Sequence, residues 1–147
     1  MSGIYIGATL TEVSRSKLYE FMRTQLDNIY SEYHTTIVYS RKLFPVELGM
    51  REESMVAHPM HYECFDTPHG RCLVLKVSCP KMQEMHMNYR DLGAQHSYSD
   101  YIPHITLCYG FDGDITQLQI PTLHIEYDKI EIKQFTEEYK PPKTIAK

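Results

Sequence analysis

The chain carries the same short pattern twice, and this repeat limits the folds it can adopt more than any other feature. HTTIVYS occupies residues 34–40 and HITLCYG occupies residues 104–110. Each copy has a histidine, a threonine two places later, an apolar residue after the threonine, and a tyrosine five places after the histidine. Both segments are rich in β-branched and apolar residues, so both are predicted strands. The fold must therefore accommodate two similar strands.

A helical segment is predicted ahead of each repeat. Over residues 14–30, apolar side chains recur at steps of three and four between charged ones, which is the pattern of an amphipathic helix. Pro80 suits the first turn of a second helix, which Gly93 ends. The apolar face of this second helix is expected to consist of Met82, Met85, His86, Tyr89 and Leu92.

The remaining chain predicts strands and their connections. Four further segments are β-branched, apolar or alternating: residues 3–10, 55–65, 71–78 and 123–135, the last being one or two strands. Residues 55–78 should form a hairpin around the turn residues 66–70, with weaker pairing near Pro59, while residues 41–53 predict a charged connection. The order strand, helix, strand, hairpin, helix, strand, strand predicts an α+β fold with helices packed on a mixed or antiparallel sheet.

Size and charge narrow the possible functions. With 147 residues the chain is expected to be one domain, residues 1–147, with a loose tail at 140–147. Its four cysteines lack paired short spacings, which predicts reduced thiols, and no apolar run is long enough to span a bilayer. A net charge of -4 disfavours binding to long nucleic acid, because that needs a basic surface. A small nucleotide stays compatible with this charge, since a few placed groups suffice to bind it.

The repeated motif places polar side chains together on a strand. Side chains two residues apart in a strand point to the same face. His34 and Thr36 should therefore share one face of their strand, and His104 and Thr106 one face of theirs. The tyrosine of each repeat, at an odd spacing from its histidine, should lie on the opposite face.

Two such strands near one another would present two imidazoles and two hydroxyls to a single cleft, which suits phosphodiester cleavage without a metal ion. A neutral histidine can accept the proton of the attacking hydroxyl while a protonated one donates to the departing oxygen. The ordinary pKa of histidine permits both roles near neutral pH. Each threonine can hydrogen-bond a non-bridging phosphate oxygen. Two unrelated strand histidines would give the same spacing, so the pattern alone leaves both interpretations open.

A second histidine cluster has the spacing of a metal site only if it is helical. In HPMHYEC, steps of three separate His58, His61 and Cys64, which would suit ligands on a helix. Pro59 and the strand-like surroundings instead send neighbouring members to opposite faces. No metal site is predicted here.

The paired His-x-Thr strands resemble those of the two-histidine phosphoesterase superfamily. Within it, the segments GIYIGATL, HTTIVYSRK, HGRCLVL, IPHITLCYG and HIEYD are similar to blocks of the bacteriophage anti-CBASS nucleases, and they span about residues 3–130. Those nucleases destroy the cyclic oligonucleotide messengers of bacterial defence. The resemblance implies two pseudo-symmetric lobes, with helices packed outside, around a central cleft that carries one His-x-Thr motif from each lobe.

The resemblance also implies a mechanism in which His34, Thr36, His104 and Thr106 are catalytic and no metal or other cofactor is needed. A ribose 2'-hydroxyl would attack the neighbouring 3'-5' phosphodiester of a cyclic di- or trinucleotide such as 3',3'-cyclic GMP-AMP. The ring would open through a 2',3'-cyclic phosphate, which water then resolves. The implied partner is this small substrate, with no long nucleic acid and no membrane, and the protein is expected to be a monomer in the host bacterial cytoplasm.

The bases of such a substrate would be bound by stacking on aromatic side chains, which is worth roughly 1 to 3 kcal/mol per base. The family's N-terminal aromatic residue matches Tyr5, and Phe135 lies near the aromatic residue of its C-terminal segment. The family often has a tryptophan before the GxCLV block, where this chain has His69 and a smaller ring face. Tyr5, His69 and Phe135 are therefore the candidate substrate-binding residues, although each would also suit an ordinary core or turn position.

Two alternatives stay open. A sponge would sequester cyclic nucleotides on the same aromatic surfaces without cleaving them, but it would have no need for two complete His-x-Thr motifs. A 2',3'-cyclic phosphodiesterase acting on RNA ends would keep both motifs, but the acidic balance of the chain fits RNA less well.

Overall fold

In the part of the chain that the structure describes, two helices pack on a six-stranded antiparallel sheet. The computed structural model describes residues 2–95 and 100–136. The elements in chain order are β1 (Ser2–Leu10), α1 (Glu12–Met22), β2 (His34–Ser40), β3 (Gly49–Thr67), β4 (Gly70–Ser78), α2 (Pro80–Asp91), β5 (His104–Tyr109), a short 3-10 helix (Ile115–Gln117) and β6 (Ile125–Thr136). The sheet order is β2-β1-β6-β3-β4-β5, and each neighbouring pair is antiparallel. The predicted α+β class is confirmed, and the predicted loose tail at 140–147 lies outside the described residues.

The two faces of the sheet differ in character. On β1, alternate residues are buried in the apolar core, and the helices cover that face: α1 packs on β1 and β6, while α2 packs on β2. The core includes Ile4, Ile6, Ala8 and Leu10 of β1, Leu18 and Met22 of α1, and Met82 and Tyr89 of α2. The intervening residues of β1, Tyr5 among them, point to the other face. That second face is available for a binding site.

The first helix is shorter than the sequence predicts. It begins at Glu12, because the hydroxyl of Thr11 accepts a hydrogen bond from a backbone N–H of the first turn and caps the helix. It ends at Met22 instead of continuing to residue 30. The apolar periodicity beyond that point has another cause: Leu26 is buried and Ile29 packs against the core from an irregular segment. A core contact does not require helical backbone.

The third strand is longer than predicted. The expected connection at 41–53 ends before Gly49, where β3 begins. Arg51 and Glu52 belong to the strand because they pair with β6, a neighbour that is distant in sequence. Pairing with β4 shifts register just after Pro59, in agreement with the weaker pairing expected there. The predicted hairpin is formed by β3 and β4, and residues 123–135 contribute one strand, β6.

The second helix follows its predicted course. It begins at Pro80 and ends at Asp91, and Gly93 just beyond it has a φ of 117°, which a residue without a side chain adopts readily. Leu92 is 50% exposed, so it does not belong to the apolar face as predicted. Within residues 2–95 and 100–136, neither helix has the length and apolar character needed to cross a membrane.

The two repeated motifs lie close together although β2 and β5 stand at opposite ends of the sheet order. The backbone N–H of Tyr30, in the segment that leads into β2, donates to the carbonyl of Leu107 on β5 at 2.8 Å. The hydroxyl of Tyr101, in the segment that leads into β5, donates to the carbonyl of Thr36 on β2 at 2.7 Å. Each motif strand is therefore hydrogen-bonded to the segment that precedes the other.

Candidate active site

A β-bulge interrupts β2 directly after the threonine of its motif. The pairing with β1 skips Ile37, since Thr36 and Val38 lie opposite consecutive residues of β1. One extra residue shifts the alternation of side chains by one place. Tyr39 therefore points to the same face as His34 and Thr36.

A second bulge lies at the corresponding place in β5. The pairing with β4 skips Leu107, since Thr106 and Cys108 lie opposite consecutive residues of β4. Tyr109 is thereby turned to the face of His104 and Thr106. The repeated spacing of five between histidine and tyrosine corresponds, in both strands, to two side chains on one face with a bulge between them.

The prediction that both tyrosines lie opposite the histidines is wrong, because strict alternation cannot anticipate a bulge. A signal was nevertheless present in the sequence. Two consecutive apolar residues follow each threonine, Ile37-Val38 and Leu107-Cys108, and all four are buried. A doubled apolar pair in an otherwise alternating strand indicates a bulge.

A cleft of about 990 Å³ opens on the motif face of the sheet. This volume is in the range of small-molecule sites. Thr36 lines the cleft from β2 and His104 lines it from β5, while His34 and Thr106 lie on the same strand faces as these two residues. The other lining residues are Ile37, Tyr39, Arg41, Glu63, Phe65, Asp66, Lys76, Gln95, Asp100, Tyr101 and Ile102. Both motifs thus contribute to one cleft.

The environment of His34 favours the neutral imidazole. Burial lowers the pKa of His34, and the positive charge of Lys133 on β6 lowers it further. The His34 side chain is nevertheless exposed at the protein surface, so it keeps part of its hydration. A neutral imidazole is the form that can accept a proton.

The environment of His104 contains opposing influences. Burial lowers the pKa of His104, and the ammonium group of Lys76, its cross-strand partner, lowers it further. A hydrogen bond to the carbonyl of Ile102 and the carboxylate of Glu63 act in the opposite direction. A charge on His34 also lowers the pKa of His104, as the smallest of these influences, so the two imidazoles are close enough to affect one another.

Each motif threonine has a partner on the cleft face. Thr36 hydrogen-bonds to the hydroxyl of Tyr5, which lowers the pKa of Tyr5 against the larger, raising effect of burial. Thr106 hydrogen-bonds to the thiol of Cys72, where burial likewise dominates and raises the pKa. Both threonine hydroxyls are therefore held on the side of the sheet that carries the histidines.

Two predicted substrate-binding residues contact the motif tyrosines. Phe135 stacks on Tyr39 with ring centroids 4.9 Å apart and an interplanar angle of 18°. His69, in the turn between β3 and β4, lies edge to face against Tyr109 at 5.9 Å. An aromatic pair thus stands at the end of each motif strand. Tyr39 is 46% exposed, which leaves part of its side chain available to a ligand.

The third predicted residue, Tyr5, depends on a glycine beside it. A Cβ atom on Gly7 would lie 2.7 Å from the Cζ atom of Tyr5, closer than packed atoms allow. The Tyr5 ring therefore lies over Gly7, and the ammonium group of Lys133 is 5.4 Å from its centroid. The absence of a side chain at Gly7 lets Tyr5 reach the motif threonine.

The chain is similar to Anti-CBASS proteins of several bacteriophages along most of its length. The family model of Anti-CBASS protein Acb1 matches residues 2–142. The Anti-CBASS protein Acb1 of Vibrio phage KVP40 is 35% identical over 124 residues, which cover 82% of this chain and 80% of the relative. That of Enterobacteria phage T4 is 35% identical over 130 residues, 83% of each chain. That of Salmonella phage S16 is 34% identical over 113 residues, 74% of this chain and 72% of the relative.

The chain belongs to the Acb1 anti-CBASS family. The resemblance to phage anti-CBASS proteins that the sequence blocks indicated is thereby confirmed. The wider kinship with two-histidine phosphoesterases and the catalytic roles of the motif residues stay predictions.

The histidine cluster of HPMHYEC has other contacts in this Acb1 family member. The ring of His58 lies edge to face against His124 at 4.7 Å, and His61 lies 3.5 Å from a carboxylate oxygen of Glu63. Across residues 2–95 and 100–136, no group of three or more His, Cys, Asp or Glu side chains is placed to hold a metal ion.

Sequence reasoning missed several residues that border the site. Lys76 and Lys133 were not candidates, because lysines on β4 and β6 approach the histidines only through strand pairing. Phe65 lies edge to face against His104 at 6.4 Å and lines the cleft from β3. No local pattern in the sequence distinguishes these three from ordinary surface residues.

Proposed function

We propose that this protein is a phosphodiesterase that cleaves the 3'-5' bonds of cyclic di- and trinucleotide messengers and so counteracts CBASS immunity. The observation that carries the proposal is the meeting of two His-x-Thr strands at one cleft in a member of the anti-CBASS family. The substrate is a small cyclic oligonucleotide such as 3',3'-cyclic GMP-AMP. The protein acts as a monomer in the cytoplasm of the host, where these messengers are made.

The first chemical step is a transesterification within the substrate. One neutral imidazole removes the proton of the ribose 2'-hydroxyl, whose oxygen attacks the neighbouring phosphorus. The bond to the 5'-oxygen breaks, and the second imidazole, which is protonated at the start, gives that oxygen its proton. The product is a linear nucleotide that ends in a 2',3'-cyclic phosphate.

The second step reverses the proton transfers. The imidazole that lost its proton now accepts one from water, whose oxygen attacks the phosphorus of the cyclic phosphate. The bond to the 2'-oxygen breaks, the other imidazole gives that oxygen the proton it gained in the first step, and a terminal 3'-phosphate remains. In both steps the hydroxyls of Thr36 and Thr106 donate to the non-bridging oxygens as negative charge develops there. The chemistry requires two proton carriers and an attacking group already held in the substrate.

Two pseudo-symmetric lobes would account for the arrangement of the site. The chain runs β1-α1-β2 and later β4-α2-β5, and the sheet order places β2 and β5 at its two ends. In each unit the last strand carries the motif, pairs with the first strand and is bulged after the threonine. In the proposed mechanism, each lobe contributes one imidazole and one hydroxyl.

Aromatic surfaces supply affinity for the substrate, because a protein of net charge -4 cannot bind it through attraction to its phosphates alone. The cleft lining contains the cations Arg41 and Lys76, but also the carboxylates Glu63, Asp66 and Asp100. We assign one base to the pair formed by Tyr39 and Phe135, with Tyr5 beside it. The pair formed by Tyr109 and His69 would receive another base, with the smaller imidazole in place of an indole.

Replacing Tyr39 by alanine should raise the Kd for 3',3'-cyclic GMP-AMP by about 5- to 150-fold, the equivalent of 1 to 3 kcal/mol of base stacking. Tyr39→Phe keeps the ring and should bind nearly as well as the natural protein. Binding is measured by calorimetry with His34→Ala protein, so that the substrate stays intact. Equal affinity of the alanine and phenylalanine variants would remove Tyr39 from the base-binding surface.

The pH profile of kcat/KM should be a bell with its maximum below pH 6.5. The reaction needs one neutral and one protonated imidazole, and burial together with the nearby lysines lowers the pKa of both below 6.5. Lys76→Met removes a charge that lowers the pKa of His104, so the limb of the profile that reports His104 should move to higher pH. Initial rates between about pH 4 and pH 9 test this. A maximum above pH 7, or a limb that moves to lower pH in the variant, would contradict it.

The proposed activity is tested by incubating the purified protein with 3',3'-cyclic GMP-AMP in excess EDTA and identifying the products by mass spectrometry. We expect a linear dinucleotide with a terminal phosphate, and a transient product with a 2',3'-cyclic phosphate. Intact substrate that is bound in equilibrium dialysis would instead support a sponge. Substrate that is neither bound nor cleaved would direct the test to RNA ends that carry a 2',3'-cyclic phosphate.

A further inference from the structure

The bulge in β2 is held from outside the sheet by two stacked side chains. The Nδ1 atom of His86 lies 2.7 Å from the carbonyl oxygen of Ile37, and the hydroxyl of Tyr101 donates to the carbonyl of Thr36 at 2.7 Å. The rings of His86 and Tyr101 are stacked, with centroids 4.1 Å apart and an interplanar angle of 7°. Two consecutive carbonyls of the first motif thus accept hydrogen bonds from one aromatic pair.

The position of β2 explains why such support is needed. β2 is at the end of the sheet order and has β1 as its one strand neighbour among the described residues. Carbonyls on its other side, and those freed by the bulge, require partners because unpaired buried backbone groups are costly. His86 is 2% exposed and Ile37 is fully buried, so water does not compete strongly for this bond.

The two bulges are supported by different kinds of group. At the second bulge, the carbonyl of Leu107 accepts from the backbone N–H of Tyr30 at 2.8 Å. Side chains support the first bulge and main chain supports the second. A substitution can therefore loosen the first motif without removing a hydrogen bond from the bulge carbonyl of the second.

We propose that His86 and Tyr101 are positioning residues for the first motif: the stacked pair fixes the bulge that turns Tyr39 to the face of Thr36, toward the substrate. Both residues act through the backbone of β2. The kinetic part of this inference rests on the proposed phosphodiesterase activity, whereas the structural part does not. Thr36 and Tyr39 flank the bulge, so a change in its geometry alters the direction of both side chains.

The test uses substitutions that remove single hydrogen bonds. Tyr101→Phe removes the hydroxyl and keeps the stacked ring. His86→Asn places an amide donor near the position of Nδ1 and loses the ring, while His86→Leu loses both. We expect kcat to fall roughly 10- to 100-fold in Tyr101→Phe and in His86→Leu, since a small misplacement of a reacting group has effects of this size. The asparagine variant should recover part of the loss.

A matched control is provided by Tyr33, which precedes the first motif. Tyr33 is 2% exposed, and its hydroxyl has no hydrogen-bond partner among the described residues. Tyr33→Phe removes a buried tyrosine hydroxyl without removing such a bond, so its kcat should equal that of the natural protein. An equal loss of kcat in Tyr33→Phe and Tyr101→Phe would overturn the inference, because the effect would then be one of general packing.

A second readout does not depend on catalysis. In NMR spectra without substrate, the amide signal of Thr36 and the ring signals of Tyr39 should shift in Tyr101→Phe, and the ring signals of Tyr109 should stay in place. Unshifted signals would overturn the inference, as would shifted signals with an unchanged kcat. If the natural protein does not cleave cyclic nucleotides, the proposed function fails, while the NMR result still decides whether His86 and Tyr101 fix the bulge.

Discussion

Replacing either His34 or His104 by alanine should lower kcat for opening of 3',3'-cyclic GMP-AMP by about 100- to 10,000-fold and leave its Kd little changed. Proton transfer by a positioned side chain contributes rate factors of this size, and it acts on bonds that change only in the transition state. In the proposed function, binding depends mainly on the aromatic surfaces around Tyr39 and Tyr109. Rapid-quench kinetics and equilibrium dialysis on each variant separate the two quantities.

Two controls make this prediction specific. His124→Ala removes a histidine that contacts His58 and is not among the residues that line the cleft, so its kcat should be unchanged. The double variant His34→Ala/His104→Ala should lose far less than the product of the two single losses, because residues that act as a unit are not additive. Full turnover in both single variants would rule out the mechanism.

Replacing Thr36 by valine should lower kcat by about 100- to 1,000-fold and lower the free energy of unfolding less than the same change at Thr35, because its partner hydroxyl on Tyr5 is only partly buried. The hydroxyl is proposed to donate to a phosphate oxygen in the transition state, and losing one such donor has effects of this order. Valine keeps the branched shape of the side chain, so the strand should still form. Thr36→Ser restores the hydroxyl and should recover most of the activity. A valine variant that is as active as the natural protein would remove Thr36 from catalysis.

The adjacent Thr35 is a matched control on the opposite face of the same strand. Its hydroxyl is fully buried and hydrogen-bonds the hydroxyl of Tyr127 at 2.7 Å. Thr35→Val should lower the free energy of unfolding by about 1 to 3 kcal/mol, because it leaves a buried hydroxyl unpaired. The kcat of the folded variant should be unchanged. Chemical denaturation and enzyme kinetics together should thus show that Thr35 contributes to stability and that Thr36 contributes to catalysis.

The sequence predicts local features of the chain where the conformational properties of single residues determine them. Pro80 and Gly93 bounded α2 to within two residues, because the conformational limits of proline and glycine act at single positions. For α1, the apolar periodicity predicted a helix to residue 30, but the helix ends at Met22. Apolar periodicity indicates which residues pack in the core, and Leu26 and Ile29 pack against it from a segment that is not helical.

The sequence by itself determined the class of fold, the family and the two motif strands that follow helices, since all of these depend on residue order over short stretches. Only the tertiary structure decided which side chains share the cleft. The bulges after Thr36 and Thr106 exist because β1 and β4 pair with the motif strands in a particular register, and that register turns both tyrosines to the histidine face. Lys76 and Lys133 likewise approach the histidines through strands that are distant in sequence. Register is set by the packing of the whole sheet, so the doubled apolar pairs indicate where a bulge can form, but no local pattern gives the strand that pairs with it.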